Sequence, residues 1–177
     1  MLEGGDFLAL LTDAGLSAAM TAINDHLVSE SGCTEVPLTA VVYGYEGVPD
    51  RVPAGPVAIQ MANDGQELHE AVVFRINDDV TEPEEELLAL EPEEAETRAT
   101  QVAGAFAVPG QDGATSAELD AGRHAVVCFL PVGATREAFA EAIATGAEPE
   151  GPPHFSQGMV AELTVEEAPP GPAQVRR

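Results

Sequence analysis

From Pro37 onward, apolar residues come in short runs with a period of two, cut every few residues by glycine or proline. A two-residue period puts successive side chains on opposite faces of a strand, and runs this short are too brief for packed helices. With 17 Gly and 14 Pro among 177 residues, turns recur often enough to argue against a helical bundle. The strands read as Leu38 to Tyr45, Val57 to Met61, Ala71 to Ile76, Thr115 to Leu119, His124 to Leu130 and Met159 to Val165. Gly47-Val-Pro49 and Pro53-Ala-Gly55 read as turns between them. Strands at this spacing predict an all-β fold, an antiparallel sandwich.

Three stretches depart from the pattern. Residues 1–35 form an N-terminal helix and linker, with helical spacing from Phe7 to Ile23. Glu82 to Arg98 is acidic and predicts a helix with Leu87, Leu88 and Leu90 on its apolar face. Thr81 and Glu84 match a capping box there, and Pro83 suits the first turn. Its carboxylates lack the spaced Asp/Asn loop of a calcium site and read as a solvated face. Gly133 to Pro153 is a second insertion, with a short helix over Thr135 to Thr145. The sandwich therefore occupies residues 36–167, and the Pro-rich residues 168–177 read as a disordered tail.

The chain carries 31 acidic residues against 7 basic ones, all Arg, for a formal net charge of −24. Such a surface repels phosphates, which excludes nucleic acid as a partner and argues against an anionic membrane. No apolar run reaches the roughly 20 residues that span a bilayer. Membrane attachment would need the N-terminus: Ser31-Gly32-Cys33 resembles the end of a lipobox, although Glu30 stands where an apolar residue belongs. The first 33 residues lack the basic start of an export signal.

Four residues carry the chemistry: His69, Cys128, His154 and Met159. Sulfur from a thiolate and a thioether suits Cu(I), and imidazole suits both copper oxidation states. Two His and one Cys with a weak axial Met therefore suit one-electron copper. Each residue also has a plainer reading. His69 can be a turn histidine, Cys128 a buried inert thiol, Met159 a core residue and His154 a loop residue. A Cys33–Cys128 disulfide would remove the thiolate. His26 and His124 are outside the set; His124 shares a face with Cys128 but is expected at the opposite end of the barrel.

The segments around these residues resemble the cupredoxin family over roughly residues 37–166. Asn63-Asp-Gly-Gln-Glu-Leu-His69 is similar to the segment in which a strand ends in Asn and a short loop leads to the first His. Ala121-Gly-Arg-His-Ala-Val-Val-Cys128 is similar to the strand that rises from a Gly turn to the ligand Cys. His154-Phe-Ser-Gln-Gly-Met159 has the His-x4-Met spacing of plastocyanin-like members. The resemblance implies a Greek-key β-sandwich and a type 1 copper site of His69, Cys128, His154 and Met159. Asn63, Phe129 and Phe155 would support that site, the two Phe by shielding it from water. It also implies an electron carrier rather than an enzyme, working outside the cytoplasm as a monomer, with a basic redox protein as partner. A metal-free binding module of the same fold and a Cu(I) chaperone or storage protein are the alternatives.

One departure stands out. In the family only a couple of residues separate the Cys from the second His, whereas here 25 residues lie between Cys128 and His154. The insertion must loop out and return. Loop closure makes this only modestly unfavourable, at roughly 0.6 kcal/mol per doubling of length. For one metal to be held, the His69, Cys128 and His154 donor atoms must converge to within about 4 Å of one another.

The acidic surface has two readings, adaptation to high salt or simple extracytoplasmic acidity. Salt screens self-repulsion, so the first reading predicts that stability rises from dilute buffer to molar salt. A urea midpoint that stays flat or falls over that range contradicts it.

Overall fold

The computed structural model describes residues 32–147 and 150–168, together with residues 19, 22 and 26. The expected N-terminal helix and the tail beyond residue 168 lie outside the described residues. Two sheets pack face to face. The first joins β1 (Thr34–Val41), β2 (Gly44–Glu46), β4 (Gly55–Asn63) and β7 (Asp112–Leu119) in the order β2-β1-β4-β7. The second joins β3 (Arg51–Pro53), β5 (His69–Ile76), β6 (Ala99–Ala107), β8 (Gly122–Val127) and β9 (Val160–Glu166) in the order β3-β9-β8-β5-β6. Pairing is antiparallel except for β1 with β4 and β3 with β9, which run parallel. The sheets are thus mixed, because the chain visits the second sheet through β3 before returning to lay β4 beside β1.

Alternation sets the core. Val36, Leu38 and Ala40 of β1 and Val57, Ile59 and Met61 of β4 face Val73, Val126, Leu163 and Val165 of the other sheet. Each is at most 3% exposed. Full burial of such side chains contributes about 1.5–3 kcal/mol apiece for the larger ones. A smaller cluster lies on the outer face of the second sheet, where Ile76, Ala125 and Val127 meet Val80 and Leu87.

The acidic insertion covers that outer face, but not as one helix. It forms α1 (Glu84–Leu88) and α2 (Pro92–Ala95), separated at Pro92, whose missing N–H and ring end the first helix. The capping box does not form: Pro83 takes the cap position without a side-chain hydrogen bond. Glu84 instead turns inward, 6% exposed, and pairs with Arg123 of β8 at 2.5 Å. The attraction of a buried carboxylate for a cation outweighed the local capping preference. The second insertion does carry its helix, α3 (Arg136–Thr145). Thr135 Oγ1 accepts from the Ala138 N–H at its start, and Gly146, at φ +68°, ends it.

Two further differences bear on the site. The segment from Leu38 to Tyr45 is not one strand. The chain reverses at Val42 and Tyr43, so that Val41 pairs with Gly44. Tyr43 adopts φ +54°, the only non-glycine residue with positive φ among those described. That conformation costs of order 1–3 kcal/mol. Strand β6 has no counterpart among the expected strands. Its inward residues, Ala103, Ala105 and Ala107, are too small to show as an apolar alternation.

Candidate metal centre

The loop that carries His69 is fixed before the histidine is reached. Asn63 ends β4, is 1% exposed and satisfies all of its amide. Its Nδ2 donates to the carbonyls of Glu67 (2.9 Å) and Ala107 (3.0 Å), while Oδ1 accepts from the Gly65 N–H (2.9 Å). Asn63 thus holds the loop against β6. The Leu68 N–H donates to the Ala134 carbonyl, tying the same loop to the second insertion. A Cβ at Gly65 would lie 2.6 Å from His69 Nε2, so only glycine lets the loop pass this close to the ring.

Cys128 follows β8 directly and opens the 25-residue connection to His154, which carries the second insertion. Its two ends clasp. The Phe155 N–H donates to the Cys128 carbonyl (2.9 Å), the His154 N–H to Leu130 (2.8 Å) and the Val132 N–H to Pro152 (2.9 Å). Pro131 and Pro153 form an antiparallel bridge between them. The insertion therefore closes at its base, and His154 returns beside Cys128 as if the residues between were absent. A single 3-10 turn, His154–Gln157, then ends at Gly158 with φ +106°. That turn directs Met159 inward, where it is 0% exposed. The Met159 carbonyl accepts from the Cys128 N–H (3.3 Å), and its N–H donates to the His154 carbonyl (3.2 Å).

These frames bring His69, Cys128 and His154 together, all buried, with donor atoms within 4.8 Å of one another. Cys128 Sγ lies 3.3 Å from His154 Nδ1. That pair meets the separation expected for a shared metal, and the full set is slightly wider than 4 Å. The His69 and His154 rings are 5.0 Å apart and tilted by 55°. His69 Nδ1 is buried with no hydrogen-bond partner among the described residues. A buried nitrogen without a partner is costly unless a metal or water occupies its lone pair. The residues present therefore fit a soft, imidazole-accepting metal.

Burial also sets the proton affinities. It pushes the Cys128 thiol up to about 12, with nearby Glu70 and Glu67 adding to the effect against opposing backbone N–H groups. It pushes His69 down from its ordinary 6.5 to about 4, helped by His154 and opposed by Glu67. Cys33 and Cys128 are not bridged, so no disulfide removes the thiol. His124 is buried too, but it pairs with Arg75 and Leu163 farther down the second sheet and is outside the cluster, as expected.

Phe129 and Phe155 stack edge-on, at 5.4 Å, and Phe129 does the same with Phe74 at 5.7 Å. Phe129 is 42% exposed. The ring set against His154 is that of Tyr43, at 5.1 Å. Sequence reasoning missed Tyr43 and also Glu67, whose Oε2 lies 3.0 Å from His154 Nε2. Nothing in the local sequence distinguishes either residue, since their role comes from a turn reversal and a closed insertion.

The His69 shift has a consequence for the metal-free protein. Between about pH 6.5 and 4 the unfolded chain binds a proton that the native His69 does not, so stability falls as pH is lowered through that window. At pH 4.5 the loss from this residue is about 2 kcal/mol relative to pH 7. Urea titrations of His69→Leu should show a correspondingly smaller drop between those two pH values than the parent. Equal drops contradict the assignment.

No protein-family model matches the chain, and no curated protein does. Solved structures do. A dithionite-reduced auracyanin from the photosynthetic bacterium Roseiflexus castenholzii is 19% identical, covering 78% of this chain and 100% of its own, with a TM-score of 0.46. An azurin from Methylomonas sp. strain J is 15% identical over 77% of this chain and 99% of its own, at 0.43. Auracyanin A, a "blue" copper protein from Chloroflexus aurantiacus, is 15% identical over 73% and 99%, at 0.41. By its own sheet order the chain is a two-sheet β-sandwich, with His69 opening β5 and Cys128 just past the end of β8.

Proposed function

We propose that this chain is a type 1 (blue) copper protein that carries single electrons, with His69, Cys128, His154 and Met159 holding the metal. The observation that carries the reading is the buried meeting of one thiol and two imidazoles, with His69 Nδ1 lacking any other partner. Copper would supply one-electron exchange between Cu(I) and Cu(II), which this donor set tolerates in both states.

The residues do the rest. Strands β5 and β8 and the clasp at the base of the insertion position three donor side chains through backbone pairing. A frame that is already set changes little between oxidation states, which favours fast exchange. His69, Cys128, His154 and Met159 are each at most 1% exposed, so a substrate has no direct approach. This supports a carrier rather than an enzyme. The net charge of −24 favours a basic redox protein as partner, with salt-dependent association. An extracytoplasmic location, a monomeric state and, with it, salt tolerance belong to the same proposal.

Adding Cu(II) to the purified protein tests the reading. An intense visible band from thiolate-to-copper charge transfer is expected, and Cys128→Ser should abolish it. A band that survives this substitution overturns the ligand assignment. Tight Cu(I) binding with no such band would point to a chaperone or store, and no binding of either ion to a metal-free module.

A further inference from the structure

Glu67 lies in the loop between β4 and β5, two residues before His69, and is one of 31 acidic residues. Most of the others face solvent. Glu67 is 21% exposed at its side chain and has its carboxylate turned into the site. Three donors reach it. The Tyr43 hydroxyl donates to Oε1 (3.1 Å), and the Gly133 N–H to Oε2 (2.6 Å). His154 Nε2, on a residue with no exposed surface, also lies 3.0 Å from Oε2.

These donors come from three separate segments. Tyr43 is the φ +54° residue of the β1–β2 reversal, Gly133 stands just inside the second insertion and His154 at its return. The Glu67 carbonyl is itself held by Asn63 Nδ2. The carboxylate is thus the common point at which the first loop, the reversal and both ends of the insertion meet.

The chemistry of the contact is directional. An ionised carboxylate only accepts hydrogen bonds, so His154 must present an N–H at Nε2. The other ring nitrogen, Nδ1, then carries the lone pair, and it faces Cys128 Sγ at 3.3 Å. A carboxylate on the outer nitrogen of a metal-binding histidine fixes the tautomer and orientation of the ring. It also covers the imidazole edge that water would otherwise reach.

We infer that Glu67 is a positioning residue: it locks His154 with Nδ1 aimed at Cys128 and seals the outer edge of that ring. For the metal this rests on the copper reading; the tautomer and ring orientation stand without it. Tyr43 assists by packing its ring on His154 while its hydroxyl holds the far oxygen of the carboxylate.

The test compares the full-length parent with Glu67→Gln and Glu67→Ala. In the metal-free proteins, nitrogen-15 spectra of the histidine rings report the tautomer of His154. The parent is expected as the Nε2–H form, and Glu67→Ala as a mixture whose ring N–H exchanges with water at least about tenfold faster. With copper, competition titrations should show affinity falling about 10–100-fold in Glu67→Ala, with the visible band shifted or weakened. Glu67→Gln, which keeps one acceptor oxygen, should lie between the two. An unchanged His154 tautomer in Glu67→Ala overturns the inference, as do an unchanged affinity and band. If the alanine variant does not fold, parent-like ring spectra in Glu67→Gln together with a parent-like affinity overturn it. If the parent binds no copper, the copper reading fails, and the ring spectra still decide the role of Glu67.

Discussion

Everything at this site depends on a short backbone clasp. Leu130 to Val132 pairs with Pro152 to His154, so the insertion is closed at its neck and contributes no slack to the donors on either side. Without the clasp, Cys128 would still follow β8 and face the core, but His154 would sit on an open loop. The added length raises the closure entropy slowly, and a handful of backbone hydrogen bonds at about 0.5–1.5 kcal/mol each can offset it. Helix α3 then lies outside the site.

The clasp also explains why the electrostatics take the form they do. Burial disfavours the charged forms of two donors, keeping the Cys128 thiol protonated and His69 neutral at physiological pH in the metal-free protein. Burial also works to raise the Glu67 carboxyl, but hydrogen bonds from Gly133, His154 and Tyr43 outweigh it, and the group stays below its ordinary value. One ionised carboxylate therefore sits at the rim of a buried donor set. A metal entering that set must displace the proton on sulfur, so its binding is coupled to proton release.

Much of this was legible in the sequence. Period-two runs with Gly and Pro punctuation gave β4, β5, β7, β8 and β9 to within a few residues. Thr135 and Gly146 bounded α3 by ordinary capping chemistry. The chemistry of His69, Cys128 and His154 was legible because soft and imidazole donors in that order are rare. What stayed hidden was long-range. Strand β6 is built of alanines that count only when the opposite sheet is in place. Tyr43 looked like a strand residue because its positive φ is imposed by the reversal rather than preferred locally. Glu84 looked like a cap because nothing nearby in sequence announces Arg123 across the sheet. Glu67 was one carboxylate among many until the clasp brought His154 to it.

Residue-resolved amide hydrogen exchange on the metal-free protein tests the clasp most directly, because protection reports whether it exists before any metal is bound. The amides of Val132, His154 and Phe155 should be protected to nearly the level of β8. Exchange of those three amides at open-loop rates would mean that the neck is not closed and that the donors do not share a preformed site.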